Sequence, residues 1–156
     1  MTEFIRGFRG EYQFMSNFMY VPVEYDGVIY PTNEHAFQAA KFADREYRAV
    51  IKAAKSPEEA KSLGKTRKYP LRDGWDDGLA VQVMSYINAQ KFRKPKYRDL
   101  LLDTGEAILV ETNRWNDDIW GDSTNTSTPG RNQLGIILMA IREALQAEED
   151  EYLAEG

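Results

Sequence analysis

The spacing of apolar residues changes character several times along the chain. Between Phe4 and Tyr30 aromatic and β-branched residues dominate, punctuated by Gly7, Gly10, Pro22 and Asp26-Gly27. Val21-Pro22-Val23-Glu24-Tyr25 and Val28-Ile29-Tyr30 flank the Asp-Gly pair, the pattern of a small β-hairpin. From Pro31 the period lengthens. Capping residues at Thr32 and Asn33 precede Ala36-Phe37-Gln38-Ala39-Ala40-Lys41-Phe42, which predicts a helix beginning near Thr32 or Asn33. Helical spacing returns over 46–54, 57–63, 74–92 and 96–102. Ser56-Pro57-Glu58-Glu59 is a clear start, with Pro at the first helical position and acids where the dipole favours them. Residues 107–111 are short, apolar and β-branched, so a strand is predicted there. Residues 112–131 show neither period, and this long loop holds two Trp, three Asp, two Gly and one Pro. Beyond it, Leu134, Ile137, Leu138, Ile141 and Leu145 recur at helical spacing, giving an amphipathic helix over 132–147.

These elements predict an α+β fold, mostly helical, with a small N-terminal β-hairpin or sheet. The 156 residues, 42% of them hydrophobic, suffice for one compact domain over 1–147. Residues 148–156 carry five of the 25 acids and no Lys or Arg, and are expected to form a disordered tail. The remaining 20 acids balance the 20 bases, which argues against non-specific gripping of duplex nucleic acid, a mode that needs surplus cations facing phosphates. A nucleotide pocket stays open. With no Cys and one His, disulfide, thiolate and His-rich zinc chemistry are excluded. There is no signal-like N-terminus and no run long enough to span a membrane, so a cytoplasmic location is expected.

Some familiar signals fail on spacing. Gly64-Lys65-Thr66 resembles the end of a phosphate-binding P-loop, but Glu59 stands where that motif needs glycine. Asp76-Asp77-Gly78 lacks the alternating acids of a calcium loop. Three other features are more informative. At 100° per residue, Glu34, Gln38 and Lys41 fall within about 60° of one another, while Ala36, Phe37, Ala39, Ala40 and Ala43 occupy much of the remaining circumference. Such a narrow polar stripe either faces water or lines a cleft; His35, off the stripe, reads as a packed, hydrogen-bonded residue. Trp115-Asn116-Asp117-Asp118-Ile119-Trp120-Gly121-Asp122 supplies carboxylates and stacking surfaces, the residue types needed beside an oxocarbenium ion, although Asp, Asn and Gly also build ordinary turns. Gly130-Arg131-Asn132 opens the last helix with N–H groups, a cap and a cation, a plausible anion site or simply a cap. Lys61, Lys65, Arg67 and Lys68 cluster locally, to meet a phosphate or to solvate a helix end.

Ser16-Asn17-Phe18, Glu34-His35 with Gln38, Lys41 and Phe42, Ala60-Lys61-Ser62-Leu63-Gly64, Gln90-Lys91-Phe92, Asp117-Asp118-Ile119-Trp120-Gly121 and Gly130-Arg131-Asn132-Gln133-Leu134-Gly135 occur in one order. Together they resemble the YbiA-like family, also called NADAR for its association with NAD and ADP-ribose metabolism, from about Phe8 to Leu145. The resemblance implies hydrolysis of N-glycosidic bonds of ribose, without metal or cofactor. The implied substrates are small ribosyl phosphates of early riboflavin synthesis, or ADP-ribose attached to guanine, including guanine in nucleic acid. It implies Glu34, Lys41 and Asp118 as catalytic residues and Asn17, Phe18, Gln38, Trp75, Trp120, Gly121, Arg131 and Asn132 as substrate-binding ones. A non-catalytic ADP-ribose or nucleotide-binding module is the alternative. The chain departs from the family between Trp75 and Met84, where Leu79-Ala80 stands in place of a usual Lys or Arg, so Arg72 or Lys68 would have to supply that cation.

Overall fold

In the computed structural model, which describes residues 2–127 and 129–155, the chain runs β1 (Phe4–Arg6), β2 (Tyr20–Tyr25), β3 (Val28–Thr32), α1 (Asn33–Ala40), α2 (Arg45–Lys52), α3 (Pro57–Leu63), α4 (Leu79–Lys91), α5 (Pro95–Leu102), β4 (Ile108–Val110), β5 (Thr112–Asn113), β6 (Asp122–Ser123) and α6 (Gln133–Glu155). This is the predicted α+β class, dominated by helix. The chain divides into two compact units: Asn17–Lys91 forms one, and Met1–Ser16 with Phe92–Gly156 forms the other.

In the unit Asn17–Lys91, β2 and β3 pair antiparallel as the predicted hairpin. Asp26 and Gly27 both have positive φ, 52° and 80°, the two-residue turn whose twist suits adjoining strands. β3 runs directly into α1. Thr32 stays extended and its hydroxyl accepts the His35 N–H, capping the helix where the sequence predicts. Asp44 and Ser56 cap α2 and α3 in the same way. β2, β3, α2, α3 and α4 all pack on α1, and every residue of α1 is buried. The helix predicted over 74–92 begins only at Leu79. Gly74 (φ 77°) and Gly78 (φ 120°) bracket a single 3-10 turn, Trp75–Asp77, that a regular helix would not accommodate.

In the other unit, β1 and β4 form a parallel pair with Phe4 opposite Ile108 and Arg6 opposite Val110. α6 lies against β4. Leu101, Leu109, Leu134, Leu138 and Leu145 are core residues of this unit, and Phe14 meets Phe92 edge-on at 6.4 Å. Buried Arg142 reaches from α6 to the Thr104 hydroxyl and the Ala107 carbonyl, 2.8 Å each. The acidic segment expected to be a disordered tail is instead the end of α6, helical to Glu155. Glu148 and Glu149 accept from Arg93 and Arg98, both at 2.7 Å.

Candidate active site

The polar stripe on α1 is enclosed. Glu34 is 7% exposed and Gln38 5%, so the reading in which the stripe faces open water is set aside. Glu34 sits in the first turn, and its backbone N–H donates to the Asn17 carbonyl at 3.1 Å. One turn on, the Gln38 amide donates from Nε2 to Glu34 Oε1 at 2.8 Å. Gln38 Oε1 is buried without a hydrogen-bond partner among the described residues. It lies over the backbone of Gly64: a Cβ at that position would come within 1.8 Å of Oε1 and 3.2 Å of Gln38 Cβ. Gly64 therefore lets the end of α3 close on α1, and the sequence gives no sign of this beyond the failed P-loop signal.

Lys41 follows the last turn of α1, half-buried. Its Nζ is 3.5 Å from the Gly64 carbonyl and 5.9 Å from the centre of the Phe37 ring. Burial depresses the affinity of this amine for its proton; the negative charges of Glu34 and Asp76 oppose the shift, and the positive charges of Lys65 and Lys61 reinforce it. A carboxylate and an amine biased toward its neutral form thus share one helix face, two turns apart.

Below the first turn lies a cluster of amides that the sequence signals only in part. Asn33 Nδ2 donates to Asn17 Oδ1 (3.1 Å) and to Asn88 Oδ1 (3.0 Å), and Asn88 Nδ2 donates to the Met84 carbonyl at 3.0 Å. Asn17, expected to touch substrate, is thus held by this network and is 8% exposed. Phe18 beside it is half-buried. Trp75, also expected to bind substrate, is a core residue, 6% exposed, with its ring 5.2 Å from that of Phe37. His35 is packed as predicted, fully buried between the Thr32 hydroxyl (2.7 Å from Nδ1) and the Ala54 carbonyl (3.1 Å from Nε2). Since a carbonyl only accepts, Nε2 carries the proton and Nδ1 accepts from Thr32.

The other predicted residues lie in the second unit, in a loop ordered by side-chain-to-backbone hydrogen bonds. Asn113 Oδ1 accepts from Trp115 and Asp117, and Asp117 Oδ1 accepts from Ile119 and Trp120. Asp118, half-buried, accepts from the Ser123 N–H at 2.9 Å, and its carbonyl accepts from Arg131 N at 2.6 Å. Half-buried Trp120 and exposed Arg131 present side chains from this frame. Gly121 is buried, and a Cβ there would lie 2.6 Å from the Glu111 carbonyl. Asn132 uses its carboxamide structurally, accepting from Glu111 N at 3.0 Å and donating to the Leu109 carbonyl at 2.8 Å. Among the described residues no group of His, Asp and Glu is arranged to hold a metal ion, and no helix is long and apolar enough to cross a membrane.

An α+β domain that buries a Glu-Gln-Lys stripe on its first helix, followed by an Asp-Trp-Gly loop, belongs to the NADAR domain family, whose model matches residues 3–146. The chain is 41% identical over 140 residues to the N-glycosidase YbiA of Escherichia coli K12, covering 89% of this chain and 85% of that protein. It is 36% identical over 139 residues to an N-glycosidase of Nostoc punctiforme, with 86% of each covered. A riboflavin biosynthesis protein of Vibrio vulnificus is 34% identical over 134 residues, which are 85% of this chain but 35% of that longer protein. The NMR structure of E. coli YbiA superposes with a TM-score of 0.83 at 39% identity, covering 97% of this chain and 90% of that one.

Proposed function

We propose that this chain is an N-glycosidase that hydrolyses the C1′–N bond of a phosphorylated ribosyl compound. The observation that carries the reading is the pair formed by a buried carboxylate at Glu34 on α1 and, just past the last turn of that helix, a half-buried amine at Lys41 that burial biases toward its nucleophilic form. The names of the relatives agree with it: two are N-glycosidases and one a riboflavin biosynthesis protein. The substrate is accordingly a ribosylamino-pyrimidine phosphate of early riboflavin synthesis, or alternatively ADP-ribose attached to guanine.

The chemistry that uses both groups runs through a ring-opened sugar. The glycosidic nitrogen donates its lone pair as the C1′–ring oxygen bond breaks and Glu34 delivers a proton to the ring oxygen, giving an open-chain iminium; the water that later adds returns this proton to Glu34. The neutral amine of Lys41 adds to C1′, its proton passes to the glycosidic nitrogen, and the base leaves as its free amine. The sugar remains on Lys41 as a protonated Schiff base. Water then adds to C1′ and the adduct collapses to the sugar aldehyde and free Lys41. Glu34 carries the protons, and Gln38 fixes the carboxylate that does so.

The test is turnover of ribosylamino-pyrimidine phosphates and ADP-ribosylated guanine oligonucleotides, read by mass spectrometry for wild type, Glu34→Gln and Lys41→Arg. Both variants are expected to be folded and inactive, because the first loses the base and the second keeps the charge without a free amine. Borohydride added during turnover should couple sugar to Lys41 in wild type. An active Lys41→Arg protein overturns the amine route in favour of direct attack by water; binding without turnover by the wild type makes the chain a binding module.

A further inference from the structure

Phosphorylated ribosyl compounds carry at least one dianionic group, and the substrate class proposed above therefore needs a cation besides the reacting lysine. Arg72 is committed elsewhere: its guanidinium donates to the Tyr25 hydroxyl at 2.7 Å and to the Ala40 carbonyl at 3.1 Å. Lys68 lies over its neighbour's ring, with Nζ 5.8 Å from the centre of Tyr69. The end of α3 is placed differently. The Gly64 carbonyl that lies 3.5 Å from Lys41 Nζ belongs to the peptide group whose nitrogen is that of Lys65. Lys61 is in the last turn of α3, and Lys65 directly follows its Gly64 C-cap. This end of α3 is held by Tyr47, whose hydroxyl donates to the Leu63 carbonyl at 2.6 Å, and by the close approach of Gly64 to Gln38.

We infer that Lys65, together with Lys61, forms the anion subsite beside Lys41 and takes the phosphate ester of the ribosyl substrate. The inference rests on the proposed function for its ligand class and on the fold of α1 and α3 for its position. Lys65 is exposed and Lys61 half-buried, so Lys65 is the residue that meets solvent and an incoming anion first. Both charges also act on Lys41 in the direction that favours its neutral amine. One pair of lysines thereby recruits the dianion and helps to keep the neighbouring nucleophile unprotonated. A bound phosphate would offset the second effect, which makes the field at Lys41 depend on whether the subsite is filled.

The experiment is titration calorimetry of ribose 5-phosphate, ADP-ribose and unphosphorylated ribose against wild type, Lys61→Gln, Lys65→Gln, the double variant and Lys68→Gln as control. Each is measured at low and moderate salt. Ribose 5-phosphate is expected to bind wild type more tightly than ribose, and to weaken about three- to tenfold with each Lys61 or Lys65 replacement. That difference should shrink as salt rises, because exposed charges are screened over ~10 Å. Lys68→Gln should bind as wild type does. If ADP-ribose weakens alongside ribose 5-phosphate, the subsite takes either phosphate ester; weakening of ribose 5-phosphate alone makes it specific for the monoester. Equal affinity for ribose and ribose 5-phosphate, no binding of either phosphate ester, or an undiminished double variant overturns the inference. A wild type that binds phosphate through these lysines but turns over no N-glycoside overturns the proposed function and leaves the subsite standing.

Discussion

Replacing Gly64 by alanine sets two physical effects against each other. Gly64 has φ −69° and ψ −10°, values that any L-residue adopts. By backbone entropy alone, Ala should therefore stabilise the protein by ~0.4–1 kcal/mol. The added methyl group would stand 1.8 Å from Gln38 Oε1, 2.6 Å from Cδ and 3.2 Å from Cβ. Swinging the carboxamide away by rotation about Cβ–Cγ relieves the first two contacts, but it breaks the 2.8 Å bond to Glu34 and takes that donor from the carboxylate. A hydrogen bond to a charged group contributes about 1.5–3 kcal/mol, and overfilling a packed site costs about 1–3 kcal/mol more. The losses exceed the gain, and a net destabilisation of about 1.5–5.5 kcal/mol follows. For a chain of this length that is a fall in melting temperature of roughly 3–22 °C. Thermal circular dichroism measures it directly. Gln38→Ala provides the second arm of a double-mutant cycle: with the carboxamide already gone, Gly64→Ala should cost at least about 1 kcal/mol less than it does in wild type. A Gly64→Ala protein that melts at or above the wild-type temperature would show that backbone entropy outweighs the clash, and the reasoning would fail.

His35→Phe keeps an aromatic ring but takes the donor from the Ala54 carbonyl, so it should cost ~1–3 kcal/mol by urea denaturation, and an unchanged midpoint would contradict the bridging role. Lys91 is 1% exposed, and burial lowers its pKa from 10.5 to about 7. Between pH 7 and 10 the unfolded chain therefore binds one more proton here than the folded chain, and this group makes stability rise with pH by up to about 1.4 kcal/mol per unit. Urea midpoints across that range should climb in wild type and lose this slope in Lys91→Met; equal slopes would refute it. Deleting residues 148–156 removes the ion pairs to Arg93 and Arg98, each worth about 0–1 kcal/mol at the surface, so turnover should persist with a small drop in stability.

The parts of the fold that were legible in the sequence are those set by neighbours in the chain. Asp26-Gly27 specifies its hairpin, Thr32 and Ser56 cap their helices, and α3 has the predicted bounds. What the sequence hides depends on residues far apart. β1 and β4 are three residues each and pair across about 100 positions, a distance over which no period carries information. The left-handed turns at Gly74 and Gly78 cut short an otherwise good helical pattern. The acidic end of α6 is helical alongside Arg93 and Arg98, whose placement local charge counting cannot anticipate. At the candidate site, the angular grouping of Glu34, Gln38 and Lys41 was readable from the helical period, but the enclosure of that face was not. The structural uses of Trp75 and Asn132 were likewise hidden, because Trp and Asn serve core and site equally well.

The complete burial of α1 has a consequence for how this chain tolerates change. On most enzyme helices one face answers to chemistry and another to folding, and selection can adjust them separately. Here eight consecutive positions are buried, with the candidate site residues Glu34 and Gln38 among them. A saturation scan scored by growth or by soluble yield would report one uniform block of intolerance, with Glu34 indistinguishable from Ala36. Only shape-preserving exchanges scored by product formation would separate them. New specificity in this lineage should therefore arise from the rims, such as the end of α3, while α1 stays nearly silent.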